Sequence, residues 1–442
     1  MRFCLEHAEN RYILPVDFAD YLYPECTRIV TSVIQRHQRA ALLYSDENKL
    51  VGTRFSEPYF KPDWDPVLFT NSCYIAHLCV IDRAKALELD AYSDSESNGS
   101  HDGDTFVRFL ASGIEPIHIP EILYSWCMHE GSTARNLDAK SYIHSSQRNV
   151  LNRFVRGRGK PDRYRIDYSP LYERSPDWWI RRKHEDPRPL SVVLFGSAAA
   201  SRVDELKNRL TSTTDYPIES VCWLPEEGLI PWLSESAKRA ASRHGPTEAL
   251  VALIHDRVRI EGGEWPWEAL AQFELYPDTC VVGGLLVRTR DHVILSAGQY
   301  FGFGRGCETP DRGAELGSVG YFGQLRKQHS VSAMTSRFCV VDEAFLRTAN
   351  VGLHSKTLGA WLGASAKRAR RRVVYSPFLH GWTDEDWEDV VSDEEMRAFV
   401  VGNRDLLPDE GMLSPHLGLI ASDRYQPVTP KTRHRHVQRL VT

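Results

Sequence analysis

The sequence has no paired cysteines of the CxxC kind; its nine cysteines stand singly at positions 4, 26, 73, 79, 127, 222, 280, 307 and 339. That pattern fits reduced, mostly buried thiols better than a disulfide framework or a zinc site. No run approaches the roughly 18 apolar residues of a spanning helix. The first ten residues lack the uninterrupted apolar core of a signal peptide. An excess of positive charge is also missing. The net charge of -5 gives no general attraction to nucleic acid or to an anionic membrane. The glycines at 302, 304 and 306 are not followed by the lysine and hydroxyl residue of a P-loop, so they read as an ordinary loop. The absences predict a soluble, cytoplasmic protein.

What is present is an ordinary globular composition, 42% hydrophobic and 26% charged. A chain of 442 residues is too long for one core, and two domains of roughly 150 to 200 residues are expected. Arg11 to Val16 reads as a strand running into the loop Asp17 to Asp20. Residues 24–38 read as a helix with Pro24 in its first turn. Ala40 to Tyr44 is a second buried strand leading straight into Ser45, Asp46, Glu47 and Asn48. Carboxylates at strand ends suit an open α/β sheet, which binds ligands outside the carboxyl ends of its strands. Residues 74–89 read as a strand and a short helix, Thr105 to Ala111 as a helix, and Pro116 to Pro120 as a strand. His77 and His118 fall in apolar stretches and read as core histidines, while Trp64 and Trp126 read as packing residues. Asp63 and Asp65 read as turn caps around Pro62 and Pro66. By themselves Asp102 and Asp104 are equally readable as capping residues of the helix they precede.

Five stretches then recur in a specific order: Tyr44 to Lys49, Pro58 to Trp64, Tyr74 to Cys79, His101 to Asp104, and Ile119 to Trp126 followed by His129 to Ala134. In that order and spacing the chain resembles the family 2 glycosyltransferases, and more narrowly the bacterial members with two such domains in tandem that build cell-surface polysaccharides. The resemblance covers residues 8 to 135 and implies a GT-A fold, a Rossmann-like open sheet for a nucleotide-sugar donor. It implies hexosyl transfer with inversion, in which Asp102 deprotonates the hydroxyl of a glycan or lipid-linked acceptor. It further implies that Asp17, Asp20 and Asp104 contact the donor nucleotide and that His129 and Asp20 hold a divalent metal, Mn or Mg. Asp46 and Glu47 match a family marker without an assigned role. Two departures stand against the pattern. Ala19 occupies the middle position of the family's Asp-x-Asp-Asp motif, where a methyl group supplies no metal ligand. The chain also begins at the strand that follows the family's first nucleobase-holding unit, so an incomplete first domain is expected over residues 1–140.

Residues 141–188 resemble the helix-and-strand connector of such tandem proteins, and the six arginines and one lysine of residues 141–165 offer a basic face for lipid or acceptor phosphate. From Leu190 a second α/β pattern resembles the family's second domain, expected over residues 189–400, with a tail at 401–442. There His255-Asp256-Arg257 stands where the family has an acidic pair. Gly359-Ala-Trp361 stands where the family has its catalytic Asp-x-Asp, so this domain is expected not to react. Lys367 to Arg372 reads as a basic run on a helix. Two further readings stay open. One is a non-catalytic partner in a glycan assembly complex. The other is a metal-dependent phosphohydrolase, resting only on clustered carboxylates.

Overall fold

The computed structural model describes residues 1–128, 143–171, 177–241, 248–386 and 391–441, the side chains at 200–201 and 236–241 excepted. It divides into two units, Met1–Ile180 and Arg181–Thr442.

In the first unit the order is α1 (Arg2–His7), β1 (Tyr12–Ile13), β2 (Tyr21–Leu22), α2 (Cys26–Arg36), β3 (Leu42–Val51), β4 (Arg54–Tyr59) and α3 (Pro66–Asn71). Then follow β5 (Cys79–Asp82), α4 (Arg83–Glu88), α5 (His101–Ala111), β6 (Ile117–Cys127), α6 (Ile143–Gly157), β7 (Tyr164–Tyr168) and β8 (Trp178–Arg182). The main sheet is open and mixed, in the order β1-β5-β3-β6-β2, with β4 paired to the outer half of β3. Cys26, Val30 and Val33, one face of α2 at helical spacing, pack on Leu43, Val80, Ile119 and Leu123. The sheet's two ends are the two-residue β1 and β2, short edges that offer little for another chain to pair with.

Three local expectations are corrected. The strand expected at 40–44 does not end before the acidic residues. It continues to Val51, because its second half gains partners on both sides, β4 antiparallel and β6 parallel. Its register with β6 shifts on either side of Asp46, so the carboxylates sit at an irregularity within the strand. His77 lies outside any strand, in the loop that leads into β5. Asp102 and Asp104 do not precede their helix but lie in the first turn of α5.

The second unit contains β9 (Leu190–Gly196), α7 (Ala200–Thr213), β10 (Ser220–Pro225), α8 (Glu226–Ala241), β11 (Leu250–His255), β12 (Arg259–Glu261), α9 (Trp265–Leu275), β13 (Thr279–Arg288) and β14 (Ile294–Ser296). It continues with β15 (Tyr300–Phe301), β16 (Cys307–Glu308), β17 (His329–Val331), β18 (Phe338–Asp342), α10 (Glu343–Leu346), α11 (Leu358–Arg368), β19 (Arg372–Thr383), α12 (Asp393–Gly402) and α13 (Pro430–Val441). Its open sheet runs β10-β9-β11-β18-β13-β19-β12. β9 and β10 pair in parallel, as do β9 and β11. The near-continuous apolar sequence of β9 and β11 follows from burial on both faces of the sheet. The basic run 367–372 straddles the end of α11 and the start of β19 rather than lying on one helix. Among the described residues no helix is long and apolar enough to cross a membrane.

Candidate functional site

The bulge in β3 turns two adjacent carboxylates into a buried polar cluster. Asp46 is fully buried; its Oδ1 accepts from the main-chain N–H of Lys61 at 2.8 Å and from Nε2 of His118 at 2.9 Å. The other ring nitrogen of His118 meets Asp63 at 3.0 Å. An imidazole flanked by carboxylates on both nitrogens must donate from both, which favours its charged form. Burial pulls the His118 pKa down, but the hydrogen bonds and charges of Asp46 and Asp63 outweigh it and the net direction is up. Tyr44 stacks on the same ring at 4.8 Å and donates its hydroxyl to the Pro62 carbonyl.

Glu47 faces Lys61. The ammonium is fully buried and lies 3.0 Å from Glu47 Oε2, and it also donates to the main-chain oxygens of His77 and Ile75. The same Glu47 oxygen accepts the His77 N–H at 2.8 Å. Lys61 therefore supplies the cluster's internal countercharge.

Two neighbouring groups extend this centre. The His77 ring stacks on Tyr124, whose hydroxyl donates to Asp20 Oδ2 at 2.5 Å, while Asp20 Oδ1 accepts the Cys127 N–H at 2.8 Å. Asp17 is exposed. On the other side, burial pushes the Cys79 thiol well up, Lys61 lowers it, and Asp102 and Glu47 raise it. Asp102 is half-buried in the first turn of α5 and accepts from the Tyr92 hydroxyl at 3.3 Å. Burial, then the charge of Asp102, raises the Tyr92 pKa, which keeps that hydroxyl a donor.

Asp104 points elsewhere. It is buried and bonded to Arg108 at 2.7 Å and to Arg153 of α6 at 2.5 Å, and Arg153 also reaches Asp94. These pairs tie α5 to α6. The structure thus joins Asp46 and Glu47 through Lys61, sets Asp20 behind the Tyr124 ring that stacks on His77, leaves Asp102 with Tyr92 at the start of α5, and turns Asp104 into a helix–helix contact. His129 lies outside the described residues.

A hard divalent cation needs free oxygen donors. Both oxygens of Asp20 are engaged, Ala19 offers none, and Lys61 already neutralises Glu47. Among the described residues no group of three or more His, Cys, Asp or Glu could hold a metal ion. The described candidates therefore do not by themselves make a divalent-cation site.

Sequence reasoning missed four residues of the centre. Lys61 lies inside the stretch Pro58 to Trp64, and a lysine enclosed by prolines and aromatics is itself a burial signal. His118 reads as a core histidine; its side chain is buried, but it bridges two carboxylates. Tyr92 and Tyr124 gave no sequence signal, because their hydroxyls meet Asp102 and Asp20 only through tertiary packing.

In the second unit, β9 and β11 end side by side at Gly196 and His255. Asp256 there is buried, accepts the Ala198 N–H at 2.5 Å and lies 3.3 Å from the His255 ring. A Cβ on Gly196 would meet that carboxylate at 2.3 Å. Glu226 is held by His255, Arg337 and Ser355, and the His255 contact first, then Arg337, drives its pKa far down. Arg257 is half out in solvent, 3.9 Å from Asp256 and from Glu385. Gly359 is closed to any side chain, since a Cβ there would lie 1.9 Å from the Met334 carbonyl oxygen. The positive-φ Gly302 and Gly306 pack against Pro408 and Val400, so that loop is a packing feature.

No family model matches the sequence. Among curated proteins, the uncharacterized protein y4gI of Sinorhizobium fredii is 36% identical over 151 residues, 33% of this chain and 16% of that protein. The O-antigen biosynthesis protein RfbC of Myxococcus xanthus is 32% identical over 117 residues, 26% of this chain and 9% of that protein. The match therefore spans 16% or less of the length of these curated relatives. Among solved structures, A197 from STIV aligns at 14% identity and a TM-score of 0.28, over 45% of this chain and 87% of that one. GalNAc-T7, crystallised with UDP, GalNAc and Mn2+, aligns at 12% identity and a TM-score of 0.32, over 60% of this chain and 57% of that one. Superpositions at those scores carry no argument.

Proposed function

We propose that residues 1–140 form a glycosyltransferase domain of the GT-A, family 2 kind, followed by the connector at 141–188 and a second, non-reacting GT-A-like domain over residues 189–400. The donor is a nucleotide-sugar and the acceptor a cell-surface or lipid-linked glycan, met on the cytoplasmic side. The observation that carries this reading is Asp102, half-buried in the first turn of α5 with the Tyr92 hydroxyl on one of its oxygens. The relation to an O-antigen biosynthesis protein supports it.

In this reading Asp102 accepts the proton of the acceptor hydroxyl as that oxygen attacks the anomeric carbon and the nucleoside diphosphate leaves. The first turn of an eleven-residue helix stabilises a carboxylate, and the Tyr92 hydroxyl fixes one of its oxygens. Asp46 and Lys61 are buried and Glu47 is largely enclosed and paired with Lys61, so they shape the floor of the site rather than touch substrate. Asp17 and Asp20 lie on the loop proposed to meet the nucleotide.

The test is release of nucleoside diphosphate from a panel of nucleotide-sugars, with and without added Mn2+, in the presence of a glycan acceptor. Asp102→Asn should lower release by about a hundredfold or more while nucleotide binding persists. Undiminished release from that variant would remove Asp102 from the reaction. A second reading, a non-catalytic GT-A partner in a glycan assembly complex, is favoured by Ala19, by the paired state of Asp104 and by the closed Gly359. Nucleoside diphosphate binding without release by the unaltered chain would support that reading instead.

A further inference from the structure

The chain carries three basic runs, and the fold treats them differently. In 367–372, Lys367 is paired with Asp409, Arg368 with Asp405 and Arg372 with Asp278, while Arg371 donates to the carbonyls of Asp278 and Thr279. On α13, Arg433 is buried and donates to the carbonyls of Leu413, Ser414 and Leu417, leaving Lys431, Arg435 and Arg439 exposed. The run that closes α6 is not consumed in this way.

Arg153 turns inward, to Asp104 and Asp94, and Arg163 is half-buried. Arg148, Arg156, Arg158, Lys160 and Arg165 are exposed, against two carboxylates within residues 143–171, Asp162 and Asp167. Among the described residues only Arg165 of these five has a carboxylate partner, Asp167 at 3.8 Å. Arg148 and Arg158 lie over Trp178 and Phe154, 5.7 and 4.9 Å from the ring centres. Their guanidinium groups thus lie over ring faces as cation–π contacts while both side chains stay exposed to water.

We propose that the C-terminal end of α6 and the turn after it dock on an anionic lipid bilayer. The five cations are spread along an exposed segment with no enclosing cradle, which suits many shallow contacts rather than one bound phosphate. The two rings beneath them are buried, so no platform remains for stacking bases, which disfavours a single-stranded nucleic acid. The net charge of -5 gives no long-range pull on a polyanion, so the contact must act within a Debye length of about 8 Å. A dense layer of anionic headgroups meets that requirement. This inference does not depend on the transfer reaction, since a chain unable to transfer sugar would still bind.

The test is co-sedimentation of the full chain with vesicles of phosphatidylglycerol mixed into phosphatidylcholine, against phosphatidylcholine alone. Binding is expected only to the anionic vesicles and should fall as salt rises. The triple variant Arg156→Gln, Arg158→Gln, Lys160→Gln should bind about a hundredfold more weakly, given roughly fivefold per cation near such a surface. The matching α13 variant, Lys431→Gln, Arg435→Gln, Arg439→Gln, should bind nearly as well as the unaltered chain. Equal binding to neutral vesicles, an unaffected α6 variant, loss confined to the α13 variant, or tighter binding to a single-stranded oligonucleotide would each overturn the proposal.

Discussion

Replacing Lys61 with methionine tests whether one buried ammonium organises the first unit. The side chain is fully buried, and its partner Glu47 is 15% exposed. Removing the ammonium leaves Glu47 with the His77 N–H on one oxygen and a thin contact with solvent. Breaking a buried pair costs about 3–5 kcal/mol, and the residual exposure of Glu47 places Lys61→Met near the low end, about 3 kcal/mol. Glu47→Gln leaves an ammonium with no solvent and no opposite charge, so about 5 kcal/mol is expected. The double variant carries neither charge and should cost about 2–3 kcal/mol less than the sum of the two. The units need not unfold together, so the readout must belong to the first one. Hydrogen exchange of the β3 and β6 amides under graded urea supplies it. A coupling below about 0.5 kcal/mol would mean that the two groups act independently and that Lys61 is not the countercharge of the cluster.

Three further outcomes follow from the same geometry. His118 has a raised pKa in the folded state, so its contribution is fully present below the ordinary value of 6.5 and is lost as pH rises through the folded value. The first unit should therefore lose stability in that window above pH 6.5, and His118→Asn should flatten the dependence measured by urea midpoints across pH. Arg153→Ala leaves buried Asp104 with Arg108 alone; because Arg153 is 38% exposed, about 1–2 kcal/mol of stability should be lost, with faster hydrogen exchange in α5. Gly359→Asp does not restore a base to the second unit: the new Cβ meets the Met334 carbonyl, so a cost of about 3 kcal/mol or more and no gain in nucleoside diphosphate release are expected, read by thermal melting and the release assay.

Periodicity and residue type were enough for the broad architecture. Cys26, Val30 and Val33 at helical spacing made α2 visible, and the apolar runs 191–195 and 249–254 made β9 and β11 visible, because burial on both faces demands a continuous apolar sequence. Asp65 was legible as a cap before a proline, and it does accept the Val67 N–H at 3.0 Å. The acidic stretch was legible as a group of carboxylates, but not as what it does. Where β3 ends depended on whether β4 and β6 would flank it, a long-range pairing that no local pattern records.

Residue type and order single out the candidates for chemistry: Asp17, Asp20, Asp46, Glu47, Asp102, Asp104 and His129. Which of the described ones are committed elsewhere depends on how distant segments pack. Asp104 is consumed by two arginines because α5 packs against α6, and Arg153 arrives from 49 positions away. Buried Asp46 is matched by His118 and half-buried Glu47 by Lys61, since a carboxylate withdrawn from water must find a donor or a cation. Asp102 stays half-buried at a helix start with one tyrosine beside it. Local sequence sets the type and spacing of charged groups; their pairing, and hence their availability, is set by contacts between distant segments.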